Sequence, residues 1–348
     1  MRLSLFFFAA SAAVGSAEDG YELLLQGAAK ADEGGLDAAW VPERHFGVFG
    51  GPYPNPSVLA AAIAARTTRL GIRAGSVVPA LHHPVRIVEE WAAVDVLSGG
   101  RVGVSFASGW HPRDFLLAPS TAYERRRDDF AVNVQTIRQI WRDGRFAAPA
   151  DELVPVWPRP VQSELPVWIT ASGTPATFAL AGKLGANVLT HLIRQDTASV
   201  AKSIAGYRAA RERADGSRGW VTLMLHTYVH HDATTARAIA APALRDYLRE
   251  SLSLTQSAAQ VYERDTGDPA SARLAATLDR ASGRDVETLL DYSAARYIHN
   301  GLIGSPAECR DRLDRLAGAD IDEVACLVDF GVPISEALEG IDQIVELQ

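Results

Sequence analysis

Residues 69–115 read RLGIRAGSVVPALHHPVRIVEEWAAVDVLSGGRVGVSFASGWHPRDF. A strand-like run leads into a tight glycine-bearing turn, then a helical pattern that breaks at Gly99 and Gly100. A second strand-like run follows, and the stretch closes on a turn loaded with Gly109, Trp110 and His111. Two strands joined through a helix lie parallel and send their C-terminal turns to the same sheet edge. In α/β proteins that edge is where ligands bind.

The same alternation extends through the chain. Strand-like runs stand at 3–9, 38–43, 69–78, 101–108, 166–172, 187–192, 220–229 and 324–330. Helical spacing fills the intervals: Phe130, Val134, Ile137 and Trp141 make one apolar stripe, Cys309, Leu313 and Leu316 a second, and Ile334, Leu338, Ile341 and Val345 a third. Asn55-Pro56 and Ser305-Pro306 read as helix starts, each a capping side chain followed by proline at the first helical position. Strands alternating with helices in this way predict an α/β fold, a (β/α)8 TIM barrel. Two segments exceed the minimal plan, 145–164 before the fifth strand and 251–301 between the seventh and eighth. Long insertions of this kind are expected to cover the mouth. No linker or composition shift divides the chain, so 1–348 is expected to be one barrel domain.

Composition narrows the partners. The 348 residues are 47% hydrophobic and 22% charged, with a net charge of -8, which opposes binding to nucleic acid or an anionic membrane surface. Cys309 and Cys326 are the only cysteines, too few for a disulfide framework or structural zinc, and the expected location is the cytoplasm. The N-terminal run through Leu5–Phe8 imitates a signal peptide. It is short and follows a single positive charge, so it reads as the first buried strand. No apolar run reaches the ~20 residues of a membrane span.

The strand ends gather polar residues. The second strand presents Glu43, Arg44 and His45, the third Gly75 and Ser76, and the fourth Ser108, Gly109, Trp110 and His111. The sixth ends near His191, the seventh carries His226 and the eighth ends at Asp329. Such a mouth can move protons, because imidazole titrates near neutrality. His226 can equally be a packed, hydrogen-bonded core residue, and His82 and His83, just before Pro84, read as turn residues. Metal-dependent barrels want paired histidines one residue apart on a strand, and the first strand has none. Ser172, Gly173, Thr174 and Thr177 at a strand–helix junction suit a phosphate, although a simple N-cap by Thr174 fits as well. Neither GxGxxG after the first strand nor GxxxxGK[ST] occurs.

The chain resembles the bacterial luciferase-like flavin monooxygenases, in particular the branch associated with natural-product assembly lines. The matching runs are 40–64 (WVPERHFGVFGGPYPNPSVLAAAIA), 73–115, 159–195, 221–229, 301–306 and 323–331, in barrel order over nearly the whole chain. The resemblance implies a non-prolyl cis peptide at Gly75–Ser76 beneath the flavin ring. It further implies flavin contacts from Ser108, Gly109, Trp110 and His111, and phosphate contacts from Gly173, Thr174 and Thr177. His45 falls in the family's active-site histidine motif. Luciferases proper have a second histidine where Arg44 stands, a cysteine where Ala107 stands and an arginine where Ser108 stands, which argues against bioluminescence. The assembly-line branch usually has glycine in place of Arg194.

By the same resemblance, reduced FMN (FMNH2) from a separate flavin reductase would react with O2 to oxygenate a substrate. That substrate would be an acyl or aminoacyl group, free or tethered to a carrier protein, undergoing hydroxylation or Baeyer–Villiger-type insertion. His45 would manage protons with Glu43 or Arg44 orienting it, His191 and His226 would face the substrate, and Trp110 with 251–301 would wall the pocket. A homodimer is implied through the helices after the second and third strands; Ala60, Ala61, Ala64 and Ala65 line one face that suits close helix packing, whether across a dimer or within the chain. A deazaflavin-dependent oxidoreductase of the same barrel and a non-catalytic flavin-binding relative are the competing readings.

Overall fold

A computed structural model describes residues 1–8, 16–47, 49–50, 53–119, 122–149, 152–193, 195–266 and 283–348. Residue 9 of the first expected strand, Arg194 and the middle of the second insertion fall outside these. The barrel strands are β1 (Arg2–Phe6), β2 (Ala38–Val41), β3 (Gly71–Val77), β4 (Val102–Phe106), β7 (Val167–Ala171), β8 (Asn187–His191), β9 (Val221–Val229) and β11 (Glu323–Leu327). All pair in parallel, and β8 meets β9 to close the ring. This is the expected eight-stranded TIM barrel, with helices around it. Except for β9, which ends with its run at Val229, each strand stops one to three residues short of its apolar run, because hydrogen bonding ends where the chain turns out over the mouth.

The helices follow their sequence signals. α1 (Ala17–Gly34) follows β1, α2 (Pro56–Arg66) starts at Asn55, whose side chain accepts from the Ser57 and Val58 N–H groups, and α3 (Pro84–Ser98) ends at the left-handed Gly99. A 3-10 turn, Pro112–Leu117, and the short α4 (Ala122–Arg125) precede α5 (Phe130–Asp143). α6 (Pro175–Lys183) and α7 (Thr197–Asp215) flank β8. α8 (Ala233–Thr266) and α9 (Gly283–Asn300) lie between β9 and the short β10 (Leu302–Gly304), which adds to the upper end of β9. α10 (Pro306–Ala317), opened by a complete Ser305–Glu308 capping box, and α11 (Ile334–Val345) finish the chain.

The two insertions behave differently. The first contains a hairpin, β5 (Arg145–Ala147) with β6 (Leu153–Pro155). Its return leg is pinned at the end opposite the mouth: Asp95, near the end of α3, accepts from the N–H groups of Val161 (2.7 Å) and Gln162 (2.9 Å). The expectation that 145–164 covers the mouth therefore fails for this leg, because a buried carboxylate at the barrel base binds it. The second insertion does reach the mouth, and it begins earlier than expected. α8 runs unbroken through Pro242 and brings Tyr247 onto His226, while α9 brings Tyr297. Arg245 of α8, bonded to Glu287 and Asp291 of α9, ties the two helices together.

The barrel floor is a charged cluster that the strand patterns do not reveal. Arg73 reaches Glu323 at 2.8 Å and lies over the rings of both Trp40 and Trp168, 5.0 and 4.7 Å from their centroids. Glu323 also accepts from Ser4 Oγ, Trp40 Nε1, Trp220 Nε1 and Thr222 Oγ1. These hydrogen bonds and Arg73 outweigh the burial that would raise its pKa, and the carboxyl is held below its ordinary value. Among the described residues no helix is long and apolar enough to cross a membrane.

Candidate active site

Glu43, just past β2, is the centre of one side of the mouth. Its Oε1 accepts from His45 Nε2 at 3.0 Å and from His82 Nε2, and its Oε2 accepts from the Val78 N–H at 2.8 Å. Burial alone would raise the Glu43 carboxyl, but these three donors hold it below the usual range. The Val78 contact fastens this group to the end of β3, two residues beyond Ser76. His82 is one residue whose role sequence reasoning missed. It was expected in a turn, yet its ring closes on Glu43, and that contact raises its pKa against the opposing effect of burial. His83 does act as a cap, its Nδ1 accepting from the Val85 N–H.

Arg44 turns away from this cluster. Its Nη1 lies 3.6 Å from Asp114 Oδ2 and its guanidinium stands 5.6 Å from the Trp110 ring. The contact to His45 comes from Glu43, so Arg44 is not the group that orients His45. His111 caps the turn Pro112–Leu117 by accepting the Arg113 N–H on Nδ1. Burial first, then the nearby Arg44 and Arg113 charges, push its pKa down to about 4. Ser108 is half-buried and Gly109 has φ +79° with no room for a side chain, since a Cβ would fall 2.7 Å from the Phe115 ring.

The Gly75–Ser76 peptide is cis. A Cβ on Gly75 would meet the Phe6 ring at 2.7 Å, so only glycine lets β3 lie this close. Ser76 Oγ bonds Thr170 Oγ1 on β7, which also meets Ser105 Oγ of β4 at 2.7 Å. Ser105 and Thr170 escaped the sequence reading. The available signal was a hydroxyl inside an otherwise apolar strand.

Opposite, Ser172, Gly173 and Thr174 are exposed at the start of α6, with Thr177 half-buried behind them. Thr174 has the extended cap conformation, yet its hydroxyl makes no cap hydrogen bond. Arg296 of α9 comes to this corner through the carbonyl of Gln195, 3.3 Å away, and the Gln195 side chain lies beside Gly173. His191 and His226 line one cleft with Arg296, Tyr297 and Asn300. Burial, with a smaller contribution from His191, pushes His226 down to about 3, and its Nε2 is buried without a hydrogen-bond partner. Asp329 is used structurally, accepting the Phe8 N–H at 2.8 Å and the Tyr53 hydroxyl at 3.3 Å. Among the described residues no group of three His, Cys, Asp or Glu side chains could hold a metal ion.

The comparisons with known proteins agree with this geometry. A family model described as luciferase-like monooxygenase matches residues 1–323. The oxygenase component of the flavin-dependent trigonelline monooxygenase of Acinetobacter baylyi is 24% identical over 338 residues, 93% of this chain and 88% of that protein. The oxygenating constituent of the 3,6-diketocamphane monooxygenase of Pseudomonas putida is a type II Baeyer–Villiger enzyme solved with FMN. It matches at TM-score 0.76 and 15% identity, covering 99% of this chain and 97% of that one. An F420-dependent secondary alcohol dehydrogenase, solved with an F420–acetone adduct, matches at TM-score 0.69 and 17% identity, covering 100% and 98%. The two structures speak for the fold alone; the family model, which spans all but the last strand and helix, makes the chain a member of the luciferase-like, flavin-dependent monooxygenase family.

Proposed function

We propose that this protein uses reduced FMN and O2 to oxygenate an acyl or aminoacyl substrate in natural-product biosynthesis, by hydroxylation or Baeyer–Villiger-type insertion. The observation that carries the reading is the Glu43 cluster: a buried carboxylate holds His45 and His82 and is itself bound to the strand end that bears Gly75–Ser76. The residues present fit FMN. Gly75, Ser76 and the loop Ser108–His111 offer a bed for the ring, and the exposed α6 N-terminus with the unengaged Thr174 hydroxyl offers donors for the phosphate. Arg296 supplies a cation near that end, in a chain that has serine at position 108.

Bound FMNH2 would supply two electrons to O2, so that one oxygen atom enters the product and the other leaves as water. The protein's share is positioning, exclusion of water and proton handling. His45 Nε2, oriented by Glu43, would hold and move a proton at the mouth. His226, neutral and enclosed by Tyr247, Tyr297 and Phe330, would line the substrate side with His191. The relative described as an oxygenase component supports a separate reductase as partner. A homodimer across α2 and α3 fits the exposed Val58 and Leu97, whereas Ala60 and Ala64 are buried within the chain itself.

The test is rapid mixing of the FMNH2-loaded protein with O2, with and without candidate acids, alongside oxygen-18 labelling. We expect label from O2 in the product and little hydrogen peroxide. His45→Asn should lower coupled oxygenation by about 10²-fold or more and raise peroxide release. The F420-dependent barrel favours a second reading, hydride transfer to or from a deazaflavin. Tight F420 binding with no O2 consumption would establish that reading in place of the first. FMN binding with no turnover would leave a non-catalytic flavin-binding relative.

A further inference from the structure

Arg44 is only 5% exposed, yet its guanidinium is incompletely used. Asp114 stands at Nη1 and Trp110 beside the plane, while Nε and Nη2 are buried with no hydrogen-bond partner. Buried donors are almost always paired, and leaving them bare is costly. The side chain is also held in place: a Cβ on Gly50 would fall 2.7 Å from Arg44 Cγ, so the backbone packs directly against its stem. Nε–H and Nη2–H lie parallel along one edge of the planar group, at the spacing of the two oxygens of a carboxylate.

His111 adds a donor. Its Nδ1 accepts the Arg113 N–H, which leaves the proton of the neutral ring on Nε2, and Nε2 is buried and unpartnered. Asp114 Oδ1 is likewise unpartnered. Burial raises the Asp114 pKa, and the neighbouring Arg44 charge opposes that rise. Tyr247, whose ring packs on His226 at 4.7 Å and on Phe49 at 5.0 Å, also interacts electrostatically with Arg44 and so joins this group to the substrate side of the mouth.

We propose that Arg44, assisted by His111, forms a carboxylate-binding site, and that the substrate carries a free carboxylate received on the Nε and Nη2 edge. The word substrate rests on the oxygenase reading above; the binding of a carboxylate does not. A thioester formed at that carboxyl keeps one neutral carbonyl oxygen and no negative charge, so the site favours a free acid over one tethered there to a carrier.

The probes are acetate and benzoate, each paired with its amide, titrated into the full-length protein by ligand-detected NMR. Each acid is expected to bind at least about ten-fold more tightly than its amide, the gain of a charge-assisted pair over a neutral one. Arg44→Gln should abolish that preference, and Arg44→Lys, which keeps the charge without the fork, should lose most of it. FMN affinity should change less than about two-fold in both. Equal affinity of acids and amides for the unaltered protein, including no binding by either, overturns the proposal whether or not the variants fold. So does a preference that survives Arg44→Gln, or a loss of FMN affinity as large as the loss of benzoate, which would give the unpaired edge to the cofactor. None of these measurements needs O2 or reduced flavin, so this site and the oxygenase reading fail separately.

Discussion

The floor and the mouth of this barrel both bury charge, but they finish it differently. At the floor, Glu323 meets Arg73, two tryptophan N–H groups and two hydroxyls, all from the chain itself. At the mouth, Arg44, His111, Asp114 and His226 carry five of the seven buried side-chain polar atoms without a hydrogen-bond partner among the described residues. The floor is a closed account of donors and acceptors, so its charges hold the strands together. The mouth leaves donors bare in a fold able to satisfy them elsewhere, the pattern of a site completed by a ligand.

The sharpest way to break the contrast is to remove one charge from each end. Glu323→Ala strips Arg73 of its partner inside the barrel and should cost about 3–5 kcal/mol in denaturant unfolding. Arg44→Met removes a guanidinium with one loose contact at 3.6 Å and two nitrogens without a partner, beside a carboxyl whose pKa burial raises. It should cost less than about 1 kcal/mol, or stabilise. Similar losses from the two would erase the distinction.

Glycines at the two ends offer a smaller contrast. Gly99, at the base, has φ +69° and open space where a Cβ would go, so Gly99→Ala carries only the left-handed backbone cost of about 1 kcal/mol. Gly109 adds a collision with Phe115, and Gly109→Ala should cost roughly 1–3 kcal/mol more and weaken flavin binding. Equal melting curves for the two variants would contradict the crowding at the mouth.

The gentlest effect is a pH slope. His226 titrates at about 3 when folded, against about 6.5 when unfolded, so the unfolded chain takes the proton first. Its contribution to stability therefore falls as pH drops from about 6.5 toward 3, by at most about 1.4 kcal/mol per pH unit. His226→Phe removes this slope, and its unfolding free energy relative to the unaltered protein should improve steadily from pH 7 to pH 4. A pH-independent difference would mean that His226 is hydrated or paired in the folded state.

Strand and helix positions were legible because apolar spacing and caps such as Asn55 and Ser305 act within a few residues. The candidate strand-end residues were legible for the same reason: a parallel barrel sends every strand end to one face. Partnerships were not. Nothing near His82 announces a carboxylate 39 positions earlier, and Arg73 and Glu323 lie 250 positions apart. Arg44, adjacent to His45 in the chain, points elsewhere because successive residues beyond a strand face different sides. The course of 145–164 toward the base depended on Asp95, a residue that reads as an ordinary helix position.

The sequence by itself determined the alternation of strands and helices, hence the barrel, the face on which its chemistry gathers, and the glycines that let the backbone come close. Only the tertiary structure decided which side chains meet: Glu43 with two histidines, Arg73 with Glu323, and Arg44 with half of its donors unpaired. The physical reason is range. Spacing and capping are set by neighbours along the chain, whereas the satisfaction of a buried charge depends on groups that folding brings from strands far apart in sequence.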